Sequence, residues 1–256
     1  MRDTFSWLLF RYRRELIRLK ITYIHHSSFS VELENAVLLF DYFKGTLPEF
    51  PAGKPLFIFA SHFHADHYDP VIFQLGEKRE NVFYILSKEI GKKIPEEYRK
   101  RYKERIRLVK AGERFCLNSS EESLIVEMFH STDEGVAFWL SCEGKEIYHA
   151  GDLNNWWWEG EDMAWNRNMA ASYKQEMKKL SGRTADLAFI PVDPRLEQWF
   201  YLGAAGFMEQ ADTKWIFPMH FWEDYTIIPK LIEHSSSEGW RDRIVEIHKE
   251  GEEFIR

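Results

Sequence analysis

Apolar runs rich in β-branched and aromatic residues recur along the chain, beginning with ITYI (21–24), FSVEL (29–33), AVLLFDY (36–42), PLFIFAS (55–61) and NVFYILS (81–87). Such short runs predict strands, and Glu34-Asn35 between the second and third predicts a tight turn. The pattern returns in RIRLV (105–109), SLIVEMF (123–129), GVAFWLS (135–141), KEIYHA (145–150), DLAFIPV (186–192), KWIFPM (214–219) and RIVEIH (243–248). Helical segments intervene. Asp69-Pro70 suits an N-cap with proline at the first helical position, opening a helix at VIFQLG. SKEIGKK and PEEYRKRYKE carry the charge of exposed helices, and the stripe Met169, Tyr173, Met177, Leu180 predicts a helix over 163–180. Runs of strands with helices between and after them predict an α/β sandwich of two mixed sheets with outer helices, not a simple βαβ alternation.

Composition narrows the class. With 256 residues, 45% of them hydrophobic, the chain can bury one large core, and no repeat, low-complexity tract or linker divides it. Residues 20–256 are read as a single domain and residues 1–19 as an N-terminal extension expected to be helical. The balance of 34 basic against 41 acidic residues, a net charge of −7, argues against nucleic acid or an anionic membrane as a partner. Cys116 and Cys142 stand far apart in no metal-type spacing, which favours a reduced, cytoplasmic protein over a disulfide scaffold. No apolar run approaches the roughly 20 residues that cross a bilayer. FSWLLF leads directly into RYRRE without a cleavage-type site, so a secretory signal is not expected. A homo-oligomer is left open.

The chemistry is concentrated in SHFHADHYDP (61–70), which places His62, His64, Asp66 and His67 within six positions on the loop leaving PLFIFAS. A strand end can aim side chains into a crevice. His62 and His64, two apart in extended backbone, face one side, and Asp66 and His67 follow after the chain turns. Imidazole nitrogen with carboxylate oxygen suits Zn²⁺, Mn²⁺ or Fe²⁺. Isolated histidines usually pack or face solvent, but four such groups on one loop are poorly explained by packing. The remaining donors should come from other strand ends, where His130, Asp152 and His220 stand.

Here the sequence resembles the metallo-β-lactamase superfamily over roughly Lys20 to Arg256. The resemblance rests on SHFHADH as the HxHxDH signature, Asp41 in LLFDYF, His130 in FHSTDEG, Asp152 in HAGD and His220 in PMHF, in family order. It implies a four-layer αββα sandwich and two divalent metal ions, zinc first, with manganese or iron as alternatives. His62, His64 and His130 would hold one ion; Asp66, His67 and His220 the other; Asp152 would bridge them. Asp41 would orient a ligating imidazole, although a plain turn carboxylate is a competing reading. A hydroxide bridging two ions would be the nucleophile, with Asp66 also able to shuttle a proton to the leaving group.

Within the superfamily, Asp152 stands where the best-known zinc β-lactamases carry cysteine, no flavodoxin domain is recognisable, and no exosite arm of a tRNA 3′-processing endonuclease is present. IHHSSF, AGDLN and PMHF look most like the branch containing L-ascorbate-6-phosphate lactonase. His26 in IHHSSF resembles a histidine of that branch and is expected to line the site. Asn154, Trp156 and Trp157, in LNNWWWEGED, are expected substrate contacts, with the alternative that the tryptophans pack the next helix onto the sheet. Arg195 in VDPRLEQW can bind an anion or pair with Asp193 or Glu197. The implied activity is hydrolysis of a phosphodiester or a lactone-type ester of a small, polar, anionic metabolite. A glyoxalase II-like thioesterase, a mononuclear iron oxidase of sulfur compounds and a non-catalytic metal-binding module are the rivals.

Overall fold

The computed structural model describes residues 18–118 and 123–256; the helix expected within residues 1–19 therefore lies outside the described residues, apart from Arg18 and Leu19. The strands are β1 (Lys20–His25), β2 (Ser28–Glu32), β3 (Val37–Phe40), β4 (Leu56–Ala60), β5 (Val82–Ser87), β6 (Ile106–Val109), β7 (Arg114–Asn118), β8 (Ser123–His130), β9 (Val136–Cys142), β10 (Lys145–His149), β11 (Thr184–Pro191), β12 (Asp212–Met219) and β13 (Glu253–Ile255). They form a seven-stranded sheet, β13-β1-β2-β3-β4-β5-β6, and a six-stranded sheet, β12-β11-β10-β9-β8-β7. Both are mixed. β3 to β6 run parallel, as do β10 to β12, while the other pairs are antiparallel.

The continuous apolar runs are explained by burial on both faces of the first sheet. Alternate residues Leu38, Phe40, Phe57 and Phe59 enter the core shared with the second sheet, where Phe59 meets Phe138 at 5.3 Å and Phe29 meets Phe189 at 4.6 Å between ring centres. Val37, Leu39, Leu56, Ile58 and Ala60 face the other way, against Ile72 and Phe73 of α1 (Ile72–Leu75) and Tyr102 at the end of α2 (Glu96–Arg101). On the second sheet, Tyr173 and Met177 of α3 (Met163–Lys178) and Phe207 of α4 (Leu202–Gln210) join the shared core. The expected sandwich of two mixed sheets flanked by helices is what forms.

Two local expectations change. RIVEIH is not a strand: it makes one parallel bridge, Ile216 to Ile244, and buries Ile244, Val245 and Ile247 without a ladder. A short strand near the C-terminus, β13, pairs instead with β1 at the edge of the seven-stranded sheet. Asp69 does not cap α1 directly; its Oδ1 accepts from Val71 N–H at 2.7 Å, and the helix opens one residue later.

Candidate metal centre

Parallel pairing brings the carboxyl ends of β3, β4, β10, β11 and β12 to one side of the sandwich, the position where α/β sheets place ligands. Asp41 follows β3, Ser61 to His67 follow β4, Asp152 follows β10, Asp193 follows β11 and His220 follows β12. His26, in the β1–β2 turn, reaches the same edge, where His220 N–H meets His26 C=O at 3.4 Å. The sheets are tied here by Val136 N–H donating to Ser61 C=O at 3.0 Å. That approach requires glycine at 135: φ is +72°, and a Cβ would lie 2.0 Å from Ser61 O and 2.6 Å from His62 Cβ.

Two groups of donors converge. His26, Asp66, His67 and His220 form one; His62, His64, Asp133 and Asp152 form the other. Asp152 lies between them: Oδ1 is 3.2 Å from His67 Nε2 and 3.5 Å from His220 Nε2, whereas Oδ2 is 3.5 Å from His62 Nε2. Within the first group His26 Nε2 is 3.4 Å from Asp66 Oδ2; within the second His62 Nε2 is 3.0 Å from His64 Nδ1. A tetrahedral ion about 2.0–2.2 Å from each donor sets donors about 3.3–3.6 Å apart. Most of these separations match that spacing. Moreover His26 Nε2, His67 Nε2 and Asp152 Oδ1 are buried with no hydrogen-bond partner, a costly arrangement that a bound cation satisfies. The residues present fit divalent metal ions.

The ring nitrogens facing the groups are presented by contacts on the far side of each ring. His67 Nδ1 donates to Asp41 Oδ2 at 2.8 Å, and His220 Nδ1 donates to Asp193 Oδ2 at 2.9 Å. Ser61 Oγ donates to Asp41 Oδ2 at 2.7 Å and so accepts from His62 Nδ1 at 2.9 Å. His149, fully buried, donates Nε2–H to Ser27 C=O at 3.0 Å and accepts from Gly151 N–H at 3.2 Å, a strut between the His26 turn and the Asp152 loop. Three of the non-glycine residues with left-handed φ stand at this centre: His26 (53°), Asp41 (44°) and His220 (61°). Such backbone persists where surrounding contacts overdetermine it.

Charge is balanced by proximity. Burial works against a protonated His220, but Asp152 and Asp193 outweigh it and push its pKa up to about 10. His67 is raised for the same kind of reason, burial being outweighed by Asp152 and Asp41. Burial, aided by His67, lowers His62 to about 3, and burial lowers His26 to about 4. Asp152 stays far below the ordinary carboxylate range, because His67, His220 and His62 overcome its desolvation.

Of the residues singled out from sequence, His62, His64, Asp66, His67, Asp152 and His220 meet in the two groups, with Asp41 behind His67. His26 sits among the donors themselves, closer in than a lining position. His130 is not brought there. It is exposed, its backbone N–H donating to Glu176 Oε2 at 3.3 Å and its ring contacting Ser131 C=O. Asp133, three residues on, occupies that corner, 3.7 Å from His64 Nδ1. A cavity of about 390 Å³ opens over the groups, lined by Thr132, Asp133, Trp156, Trp158, Trp165 and Trp222 among others. Trp157 turns away to pack on Trp199, 5.3 Å between centres. Asn154 is fully buried behind the wall, its backbone bonded to Thr132 Oγ1 and its side chain against Gly203. Arg195 lines the cavity but pairs with Asp193, Nη2 to Oδ2 at 2.6 Å. Sequence reasoning missed Asp133 and Trp222, and treated Asp193 only as a partner for Arg195.

Fold and site together define a metallo-β-lactamase-fold protein with a metal-capable His/Asp cluster at its strand ends. Residues 20–220 match the family described as the beta-lactamase superfamily domain, and the chain belongs to that family. Among solved structures it is similar to a candidate metal-dependent hydrolase of Parabacteroides distasonis ATCC 8503, at 21% identity over 91% of this chain and 94% of that one, TM-score 0.61. It is also similar to Igni18, a metallo hydrolase of Ignicoccus hospitalis KIN4/I, at 17% identity over 93% and 98%, TM-score 0.62. A third likeness is to CmlA, a diiron β-hydroxylase of Streptomyces venezuelae, at 12% identity and TM-score 0.56; the match covers 94% of this chain and 54% of CmlA. No curated protein matches. Among the described residues no helix is long and apolar enough to cross a membrane.

Proposed function

We propose that the protein is a dinuclear metal-dependent hydrolase that cleaves a phosphodiester or lactone-type ester in a small, polar, anionic metabolite. The observation that carries this reading is Asp152, whose two oxygens face separate donor groups at the floor of an open cavity. His62, His64 and Asp133 would hold one ion, His26, Asp66, His67 and His220 the other, and Asp152 both. This set departs from the one implied by family resemblance by taking Asp133 in place of His130 and by adding His26. When bound, such ions supply Lewis acidity and lower the pKa of a coordinated water to near neutrality. Zinc, manganese and iron all suit the donors.

The chain's own residues do the rest. Asp41, Asp193 and Ser61 hold the protons on Nδ1, so that once Nε2 is deprotonated its lone pair points at the centre. Asp66, ionised because His26 and His67 outweigh its partial desolvation, lines the cavity and can accept a proton and pass it to the leaving group. Trp156 roofs the centre, its Nε1–H donating to Asp152 C=O at 2.9 Å. Arg195 serves Asp193 first, so the substrate's anionic group is expected to meet the centre more than the guanidinium.

The test is hydrolysis of a chromogenic phosphodiester, with a lactone and a thioester alongside, by protein loaded separately with zinc, manganese and iron. Metal-dependent turnover of the phosphodiester or lactone is expected. Asp133→Ala should cost about 100-fold while His130→Ala stays within about twofold. A thioester-only preference would move the assignment to a glyoxalase II-like enzyme. No turnover by protein shown to hold metal would leave a metal-binding module.

Metal uptake should also release protons. Metal-free His220, with its pKa up at about 10, carries a proton at pH 7, and His67 is shifted the same way; a metal needs both lone pairs. Affinity should therefore fall as pH falls below that range. Calorimetric loading at pH 7 in buffers of different ionisation enthalpy should show release of about one to two protons per chain. Uptake without proton release would show that His220 and His67 are already neutral in the metal-free protein.

A further inference from the structure

The cavity wall contains more indole than the fold needs. Trp156 is accounted for: it is 5% exposed, bonded to the Asp152 loop and set edge-on to His220 at 5.4 Å. Trp158 stacks parallel to it, 6.0 Å away at 6°. Trp165 and Trp222, in contrast, are 41% and 45% exposed. The exposed large hydrophobic residues among the described ones are Leu108, Met163, Trp165, Trp222 and Ile255, so two of the five line this one cavity. Met163 is two residues from Trp165. Leaving indoles in water forgoes apolar burial, and concentrating them at one mouth marks a binding surface.

The backbone holds Trp222 there at a cost. Its φ is 50°, and neighbours His220 and Glu223 are at 61° and 63°, a region that bulky residues rarely adopt. Contacts fix the ring: Nε1–H donates to Asp193 Oδ2 at 3.3 Å, and the ring centre lies 4.5 Å from that of His26. The Arg195 guanidinium sits 4.6 Å from the Trp222 ring and 5.5 Å from Trp158, a spacer that keeps two indoles apart while Asp193 takes its charge.

We propose that the substrate carries a planar aromatic group, aryl or heteroaryl, which stacks on Trp165 and Trp222 while its scissile bond reaches Asp152. This rests on the reading of the centre as an ester-cleaving site. A flat ring gains from stacking on one half-exposed indole face, with specific ring-on-ring geometry. An alkyl chain gains mainly by enclosure, and Trp165 and Trp222 stay 41% and 45% exposed at this mouth.

The test is equilibrium binding, which does not depend on turnover. Zinc-loaded protein is titrated calorimetrically with 1-naphthyl phosphate and with hexyl phosphate. The naphthyl ester should bind about 10-fold tighter. Trp165→Ala and Trp222→Ala should each weaken it by roughly 5-fold, with hexyl phosphate little changed, and Trp165→Phe and Trp222→Phe should keep most of the preference. Equal or tighter hexyl binding would make the rim an alkyl site, and a naphthyl preference that survives both alanine variants would place the ring elsewhere; either overturns the proposal. Should Trp222→Ala fail to fold, Trp165→Ala and the two phenylalanine variants still decide. A naphthyl preference without hydrolysis of any ester would refute the hydrolase reading and leave the stacking site standing.

Discussion

Asp152→Ala is expected to abolish metal-dependent turnover and to reduce bound metal from two ions per chain to one or none. The residue is 4% exposed, and its oxygens face His67, His220 and His62. Its loss takes a donor from both groups at once and removes the charge that holds His67 and His220 against burial. The loss of activity should exceed the roughly 100-fold that removal of an outer contact to a ligand costs. Asp133→Ala, which touches one group only, should instead leave one ion bound. The measurement is metal content by elemental analysis beside turnover, with circular dichroism to show that the sheets persist. Full activity with two ions bound in the Asp152 variant would end the dinuclear reading.

The sheets were legible because their strands are buried on both faces and so appear as unbroken apolar runs; β3, β4 and β5 are examples. The cluster was legible because HxHxD follows such a run directly. The placement of His130 outside the two groups has a different source. Alternation through Leu124, Val126 and Met128 aims at the core and would carry His130 inward, but Phe129 is also buried and the alternation stops there. His130 then falls on the exposed side, and the turn of residues 131–135 delivers Asp133. A strand-end argument locates a residue to within a few positions and leaves its face undecided. The acidic pair Asp133-Glu134 before a glycine was the available signal.

Asp193 was harder to read. Its role depends on the parallel pairing of β11 with β12, continued by Val192 N–H to Met219 C=O at 2.8 Å, and that contact spans residues far apart in sequence. The helix α4 was missed because LGAAG is weakly helical by propensity. Tertiary contact decides it: Gly203 lies against Asn154 and Gly206 against Tyr173. RIVEIH erred in the opposite direction, since apolar spacing shows burial and does not by itself show that a partner strand is present.

Asp41 separates stability from metal affinity. Fully buried, it accepts from Ser61 N–H and Ser61 Oγ at 2.7 Å each and from His67 Nδ1 at 2.8 Å. Burial alone would raise its pKa, but the His67 hydrogen bond and nearby His149 hold it below the usual carboxylate value. Asp41→Ala orphans three buried donors and puts alanine at φ 44°, which should cost roughly 3–5 kcal/mol of stability. Asp41→Asn tolerates that φ and keeps an acceptor for Ser61 N–H, so the fold should survive. Its amide, however, presents N–H where the carboxylate met His67 Nδ1. The imidazole must then accept there and carry its proton on Nε2, the atom 3.2 Å from Asp152 Oδ1. Metal affinity at that group should drop about 10–100-fold, with a melting temperature much closer to wild type than that of Asp41→Ala. Equal metal affinity in Asp41→Asn and wild type would show that Asp41 supports the loop and does not set the His67 tautomer.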